Sequence, residues 1–94
     1  MSSSAKRILQ KTPRFTRDLK KLSKPIQEEA FGVAQMLTEN LFHPTLNVRH
    51  LTGFKGLYRV VVMKDYRLIF SCDADTLCLL RIAHRKDIYR TFEL

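Results

Sequence analysis

The stretch Leu57-Tyr58-Arg59-Val60-Val61-Val62-Met63-Lys64-Asp65-Tyr66-Arg67-Leu68-Ile69-Phe70-Ser71-Cys72 decides the fold. Its first seven residues are rich in β-branched side chains, which suit a pleated, half-buried strand. Lys64-Asp65 reads as a tight turn, and Tyr66–Cys72 as a second strand. Asp73-Ala74-Asp75 reads as another turn, followed by a third strand from Thr76 to Ala83. The pattern predicts a three-stranded antiparallel meander.

Upstream the period changes. Ile26, Ala30, Val33, Ala34, Leu37 and Leu41 recur at helical spacing. Glu28 and Glu29 are expected in the first turn of that helix, where they complement its dipole. Thr12-Pro13 is a helix-start signal, because Thr caps an orphan N–H and Pro is tolerated at the first helical position. Phe15, Leu19 and Leu22 then form one apolar stripe, with Arg14, Arg17, Lys20 and Lys21 outside it. Ser23-Lys24-Pro25 separates the two helices, and so short a break predicts an antiparallel pair. Ile8 to Thr12 reads as a short strand and residues 1–7 as a ragged start. Residues 42–56 lose periodicity and carry Pro44, Asn47, Gly53 and Gly56, so they read as a loop pinned to the core by Leu46, Val48 and Leu51. The expected fold is α+β: a short N-terminal strand, a helical hairpin, then the meander, with helices on one sheet face.

The 94 residues suffice for one domain, and a 45% apolar content suits a packed core. Lys and Arg number 17 against 9 Asp and Glu, a formal charge of +8. Such an excess favours polyanionic partners. The charge is uneven. Residues 1–24 hold eight basic side chains against Asp18 alone, residues 25–48 hold three glutamates and no Lys or Arg, and residues 49–70 hold five basic side chains against Asp65. Cys72 and Cys78 lack a CxxC spacing, and His43, His50 and His84 are far apart, so no zinc pattern exists. Both cysteines read as free, mostly buried thiols. The N-terminus lacks the apolar stretch of a secretory signal, and no apolar run is long enough to span a membrane. A cytoplasmic protein without membrane contact is the expectation.

Strand alternation predicts where chemistry sits. Tyr58, Val60 and Val62 face one way, while Leu57, Arg59, Val61 and Met63 face the other. If the apolar set packs on the helices, the opposite face gathers Arg59, Arg67 and one of Arg81 or Arg85. Like charges on neighbouring strands repel unless an anion joins them. Arginine grips phosphate oxygens with a planar fork. The plainer alternative pairs these arginines with Asp65, Asp87 or Glu93. At the strand end, His84 has an unperturbed pKa suited to proton transfer. Arg85 suits a pentavalent phosphate, and Tyr89 suits stacking on a base. The plainer alternatives are a structural His84 and an Ile88–Tyr89 pair that closes the core.

Four segments in order carry a family resemblance: Phe15–Leu22, Gly56–Val60, Asp65–Phe70 and Ala83–Tyr89. Over residues 12–90 the chain resembles the RelE/ParE toxin superfamily of bacterial toxin–antitoxin modules, most of all its RelE-type branch. The resemblance implies an N-terminal strand, a helical hairpin and an antiparallel sheet. RelE-type members are metal-independent ribonucleases, without cofactor, that cut mRNA in the ribosomal A site through attack of a 2′-hydroxyl on its neighbouring phosphate. ParE-type members inhibit DNA gyrase instead. The implied partners are a cognate antitoxin, the ribosome and its mRNA, with operator DNA bound only through the toxin–antitoxin pair. An acidic, amphipathic antitoxin segment over the helices or the sheet edge fits the charge.

Residue by residue, Arg59 matches the first of two basic positions in the nuclease pattern. The second falls on Val61, a departure that removes a basic group. Arg67 matches the phosphate clamp, Arg85 the leaving-group or transition-state partner, and Tyr89 the stacking tyrosine. His84 falls at a place often Lys or His. Lys55, Lys64 and Arg81 are candidates for additional RNA contacts. Arg59 is a poor base because a guanidinium keeps its proton near neutral pH, so proton transfer falls to His84, or the clustered arginines acidify the 2′-hydroxyl without a dedicated base. Three functions follow: a ribosome-dependent mRNA endonuclease, a gyrase inhibitor favoured by Val61, and a non-toxic relative whose arginines only dock an antitoxin.

Overall fold

The computed structural model describes residues 6–89. Seven elements follow in order: β1 (Ile8–Lys11), α1 (Pro13–Lys20), α2 (Lys24–Glu39), β2 (Val48–His50), β3 (Leu57–Val62), β4 (Tyr66–Cys72) and β5 (Thr76–His84). The strands form one mixed sheet in the order β1-β5-β4-β3-β2. β1 runs parallel to β5, and all other pairs are antiparallel. The expected meander is therefore present as β3–β5, but it is extended on both edges.

β2 corrects the reading of residues 42–56 as a loop. Val48, Arg49 and His50 pair with Val60, Arg59 and Tyr58. Three residues between Asn47 and Gly53 are too few to display a two-residue period. The expected strand near Ile8 is present, and it lies beside β5. The reading of residues 1–5 falls outside the described residues.

Helix α1 starts as its sequence predicts. The Thr12 hydroxyl accepts from the Phe15 N–H at 3.1 Å, and Pro13 occupies the first turn. Helix α2 begins at Lys24, so Glu28 and Glu29 fall in its second turn rather than its first. Gln27 ties the helices together: its side-chain amide donates to the carbonyls of Leu19 (3.0 Å) and Leu22 (2.9 Å). Those carbonyls lie where α1 ends; that of Leu19 also accepts from the Leu22 N–H at 3.0 Å.

The helices cover one sheet face. Phe15, Ala30, Val33, Ala34, Leu37 and Leu41 pack with Val60, Val62, Leu68, Phe70, Leu77, Leu79 and Ile82. Full burial of one such side chain contributes about 1.5–3 kcal/mol. The opposite face was expected to be polar. It carries a smaller cluster instead, Leu51, Leu57, Ile69 and Ile88, with Leu80 and Ala83 at its margin. Leu68, Ile69 and Phe70 are consequently all fully buried, although they alternate faces. A register shift between Ile69 and Phe70 skips Leu80 on β5 and re-aims the residues beyond it.

The link between β3 and β4 holds two non-glycine residues in the left-handed region, Met63 (φ 49°) and Lys64 (φ 66°). Cys72 stands opposite Leu77 and Cys78 opposite Ser71. Their side chains therefore leave opposite faces and do not form a disulfide. Both thiols are half-buried rather than mostly buried, and burial raises the pKa of each. No described helix is long and apolar enough to cross a membrane.

The free edge of β5 beyond β1 is closed by α1. Thr12 donates its N–H to the Leu79 carbonyl and its hydroxyl to the Leu80 carbonyl. The Asp18 carboxylate accepts from the Ile82 N–H at 3.1 Å and from Arg81 at 2.7 and 3.3 Å. Asp18 and Arg81 are nearly enclosed, at 13% and 12% side-chain exposure. Asp18→Ala strands both a guanidinium and a backbone donor. It should lower unfolding stability by about 2–3 kcal/mol, read from urea midpoints at constant slope. A loss below about 0.5 kcal/mol, the level of an exposed pair, would show that this edge contact is dispensable.

Candidate nucleic-acid interface

Register places the arginines. Arg59 is opposite Arg49 on β2 and Ile69 on β4. Arg67 is opposite Val61 and Ala83. The Arg85 N–H donates to the Asp65 carbonyl at 2.7 Å, one rung beyond the Tyr66–His84 pair. Alternation therefore puts Arg49, Arg59, Arg67 and Arg85 on the face away from the helices. Val61 occupies the middle of this array. Arg81 does not join it, because Asp18 holds its side chain at the β5 edge.

His84 also stands apart. It pairs with Tyr66, and its ring meets the Tyr66 ring edge-on at 5.4 Å, on the helix side. Its Nδ1 accepts from the Lys86 N–H at 3.1 Å, so the neutral ring carries its proton on Nε2. Its carbonyl accepts from the N–H groups of Asp87 and Ile88. His84 thus shapes the turn that brings Ile88 back onto the open face, where Ile88 is 1% exposed. Buried Ile88 in turn fixes the position of Tyr89.

The arginines differ in how they are satisfied. Arg67 folds onto the β3–β4 turn and donates to the carbonyls of Lys64 (2.9 Å) and Tyr66 (3.0 Å). Arg85 meets Asp65 at 3.7 Å, an exposed and loose ion pair. Arg59 has no such partner: its Nη1 is buried without any hydrogen bond among the described residues. A buried unpaired donor costs about 1–3 kcal/mol, more when charged. The like charge of Arg49 directly across the strand adds to that cost.

Arg59 opens into a cleft of about 580 Å³ lined by Arg49, His50, Leu51, Thr52, Phe54 and Tyr89. Among the described residues no carboxylate lines it. Two guanidiniums and an exposed phenol ring therefore share one space, while the His50 ring packs against Tyr58 on the helix side. That composition suits a phosphate beside a base. Of the residues singled out from sequence, Arg59 and Tyr89 meet in this cleft. Arg67 and Arg85 lie along the same face at the β3–β4 turn, near exposed Lys64. Lys55 sits in the exposed turn before β3. Arg49 and His50 were missed with the strand that carries them. Among the described residues no cluster of three metal-ligating side chains occurs.

The sequence matches a family model described as the ParE toxin of the type II toxin–antitoxin system, parDE, over residues 9–89. No protein of curated function matches the sequence. Solved structures share the fold. The toxin in the RelB–RelE antitoxin–toxin complex of Methanococcus jannaschii aligns with a TM-score of 0.74 at 24% identity, covering 89% of this chain and 99% of that one. The E. coli DinJ–YafQ toxin–antitoxin complex gives 0.74 at 19% identity, covering 95% and 100%. The YoeB dimer of Staphylococcus aureus gives 0.73 at 14% identity, covering 86% and 99%.

An unsatisfied guanidinium kept at a structural cost identifies itself in stability measurements. Arg59→Met fills the same space without charge and should raise unfolding stability by about 1 kcal/mol. The same change should abolish the growth arrest caused by expression of the chain. A destabilised Arg59→Met would mean that the guanidinium is a structural group with a partner of its own.

Proposed function

The chain belongs to the RelE/ParE superfamily of type II toxin–antitoxin toxins, and we propose that within it the chain is a ribosome-dependent, metal-independent mRNA endonuclease. The observation that carries this reading is the unpartnered Arg59 Nη1 in a cleft with Arg49 and Tyr89, on the same face as Arg67 and Arg85. Single-stranded RNA offers what that face lacks: regularly spaced anions and bases free to stack.

In the proposed reaction a ribose 2′-oxygen bonds to its neighbouring phosphorus as the bond to the departing 5′-oxygen breaks. The products are a 2′,3′-cyclic phosphate and a 5′-hydroxyl end. Arg67, already oriented by the turn carbonyls, binds a non-bridging oxygen. Arg85 faces the charge that develops on the leaving oxygen, and the positive field of the clustered guanidiniums lowers the pKa of the attacking hydroxyl. Tyr89 stacks on a base and aligns the strand. Such preorganised donors are worth about 10²–10³ each in rate. The His84 ring lies on the other face with Nδ1 occupied. Proton transfer is therefore assigned to solvent: the 2′ proton leaves to water or hydroxide, and the 5′-oxygen takes a proton from water.

A gyrase inhibitor is the second reading. Val61, where the nuclease pattern has a basic residue, favours it. Antitoxins accompany the toxins in the RelB–RelE and DinJ–YafQ structures, and an acidic antitoxin is the proposed partner here. Its association with a chain of +8 would be fast and salt-sensitive. An mRNA substrate places the chain in the cytoplasm.

Primer extension on a reporter mRNA in a purified translation system tests the proposal. Cleavage should require ribosomes and fall by at least about 10²-fold in Arg67→Ala or Arg85→Ala. His84→Gln should stay within about threefold, and the rate should rise with pH without a break near 6.5, the ordinary histidine pKa. Intact mRNA together with blocked supercoiling by gyrase would transfer the proposal to the second reading.

A further inference from the structure

We infer that Arg49 and Arg59 form a second phosphate seat, one nucleotide away from the reacting phosphate, so that this chain holds its RNA by two consecutive phosphates. The inference rests on the nucleic-acid reading of the open face, and it adds a residue that neither the spacing of motifs nor the resemblance supplied.

The first support is electrostatic. The other arginines of this face have partners: Asp65 for Arg85, and two carbonyls for Arg67. Arg49 and Arg59 face each other in direct register, and among the described residues no carboxylate lines the cleft they share. Cross-strand like charges in direct register are destabilising. One tetrahedral anion between two planar forks removes the repulsion and gives the Arg59 Nη1 the acceptor it lacks.

The second support is spacing. Arg59 is level with Ile69, and Arg67 lies two residues further along β4. Two residues of strand measure about 7 Å. That step is comparable to the separation of successive phosphates in an extended single strand. A strand with one phosphate at Arg67 and Arg85 therefore brings its neighbour to Arg49 and Arg59. Tyr89, beside the second seat, stacks on the base between or beyond them.

The third support is position. Arg49 lies on the short edge strand β2, is exposed, and belongs to neither core cluster. Its charge does nothing for packing. Removal of Arg49 should therefore leave the fold intact and weaken only what needs a second phosphate.

The probes are short, ribosome-free and non-cleavable: a 2′-O-methyl dinucleoside monophosphate with one phosphate, and the matching trinucleoside diphosphate with two. Binding to the full chain is measured by calorimetry across a salt series. The trinucleotide should bind the wild-type chain at least about tenfold more tightly than the dinucleotide. Arg49→Gln should erase that advantage and lower the salt slope for the trinucleotide by about 0.7, the value for one phosphate contact on a single strand. It should leave dinucleotide binding unchanged and should not lower the melting temperature, since it relieves the cross-strand repulsion. Arg67→Gln should weaken both probes. Equal affinity for the two probes, or an Arg49→Gln variant that keeps the trinucleotide advantage, would overturn the second seat. A trinucleotide advantage that depends on Arg49 in a chain that leaves mRNA intact would uphold the seat and defeat the nuclease reading, so the two failures remain distinct.

Discussion

The structure depends on burying the centre of β4 from both sides. Leu68 and Phe70 face the helices while Ile69 faces the opposite way, yet all three are fully enclosed. One face is closed by α1 and α2. Among the described residues the other is closed by Leu51, Leu57 and Ile88, drawn from a loop, a strand end and the segment after β5, with Leu80 and Ala83 at their margin. That minimal second layer covers the middle of the sheet and leaves its flanks open. The arginines occupy those flanks. The face proposed to bind RNA is thus the part of the sheet that the described second core cluster leaves uncovered.

The partition of the basic residues follows from this architecture. Arg81 emerges after the register shift at the β5 edge and is taken up by Asp18, where it closes the junction between helix and sheet. Arg67 and Arg85 are loosely tethered at the β3–β4 turn, where Met63 and Lys64 hold left-handed backbone. Each αL residue without glycine costs about 1–2 kcal/mol. Arg49 and Arg59 share the cleft, where the Arg59 Nη1 finds no hydrogen-bond partner among the described residues. Unpaired charge and local strain both concentrate where the fold meets its substrate in the proposed reading, as expected when function rather than stability shapes a surface.

Much of this was legible in the sequence because long periodic segments speak clearly. The helices, their Thr12 cap and the meander from Leu57 to His84 follow from period and turn chemistry alone. The alternation of Arg59 and Arg67 against Val60 and Leu68 placed two arginines on one face. Other features were hidden for physical reasons. β2 is three residues long, so its strand character comes from pairing with β3 and not from its own pattern, and Arg49 and His50 were lost with it. The β5 register shift depends on contacts across strands, so alternation alone left Arg81 and Arg85 undecided. The fate of Arg81 rests on Asp18, 63 positions away. His84 appeared chemically apt, but its ring faces Tyr66 and its Nδ1 shapes a turn. Ile88 was weighed as a core residue, and it is one.

The central claim is that RNA lies across the open face, between the β3–β4 turn and the β2 edge. A crystal structure of the chain with a non-cleavable 2′-O-methyl RNA trinucleotide tests it most directly. The account predicts one phosphate held by Arg67 and Arg85, the next between Arg49 and Arg59, and a base against Tyr89. RNA seated on the helix side, or along the open face with the Arg59 guanidinium still unbonded, would contradict it.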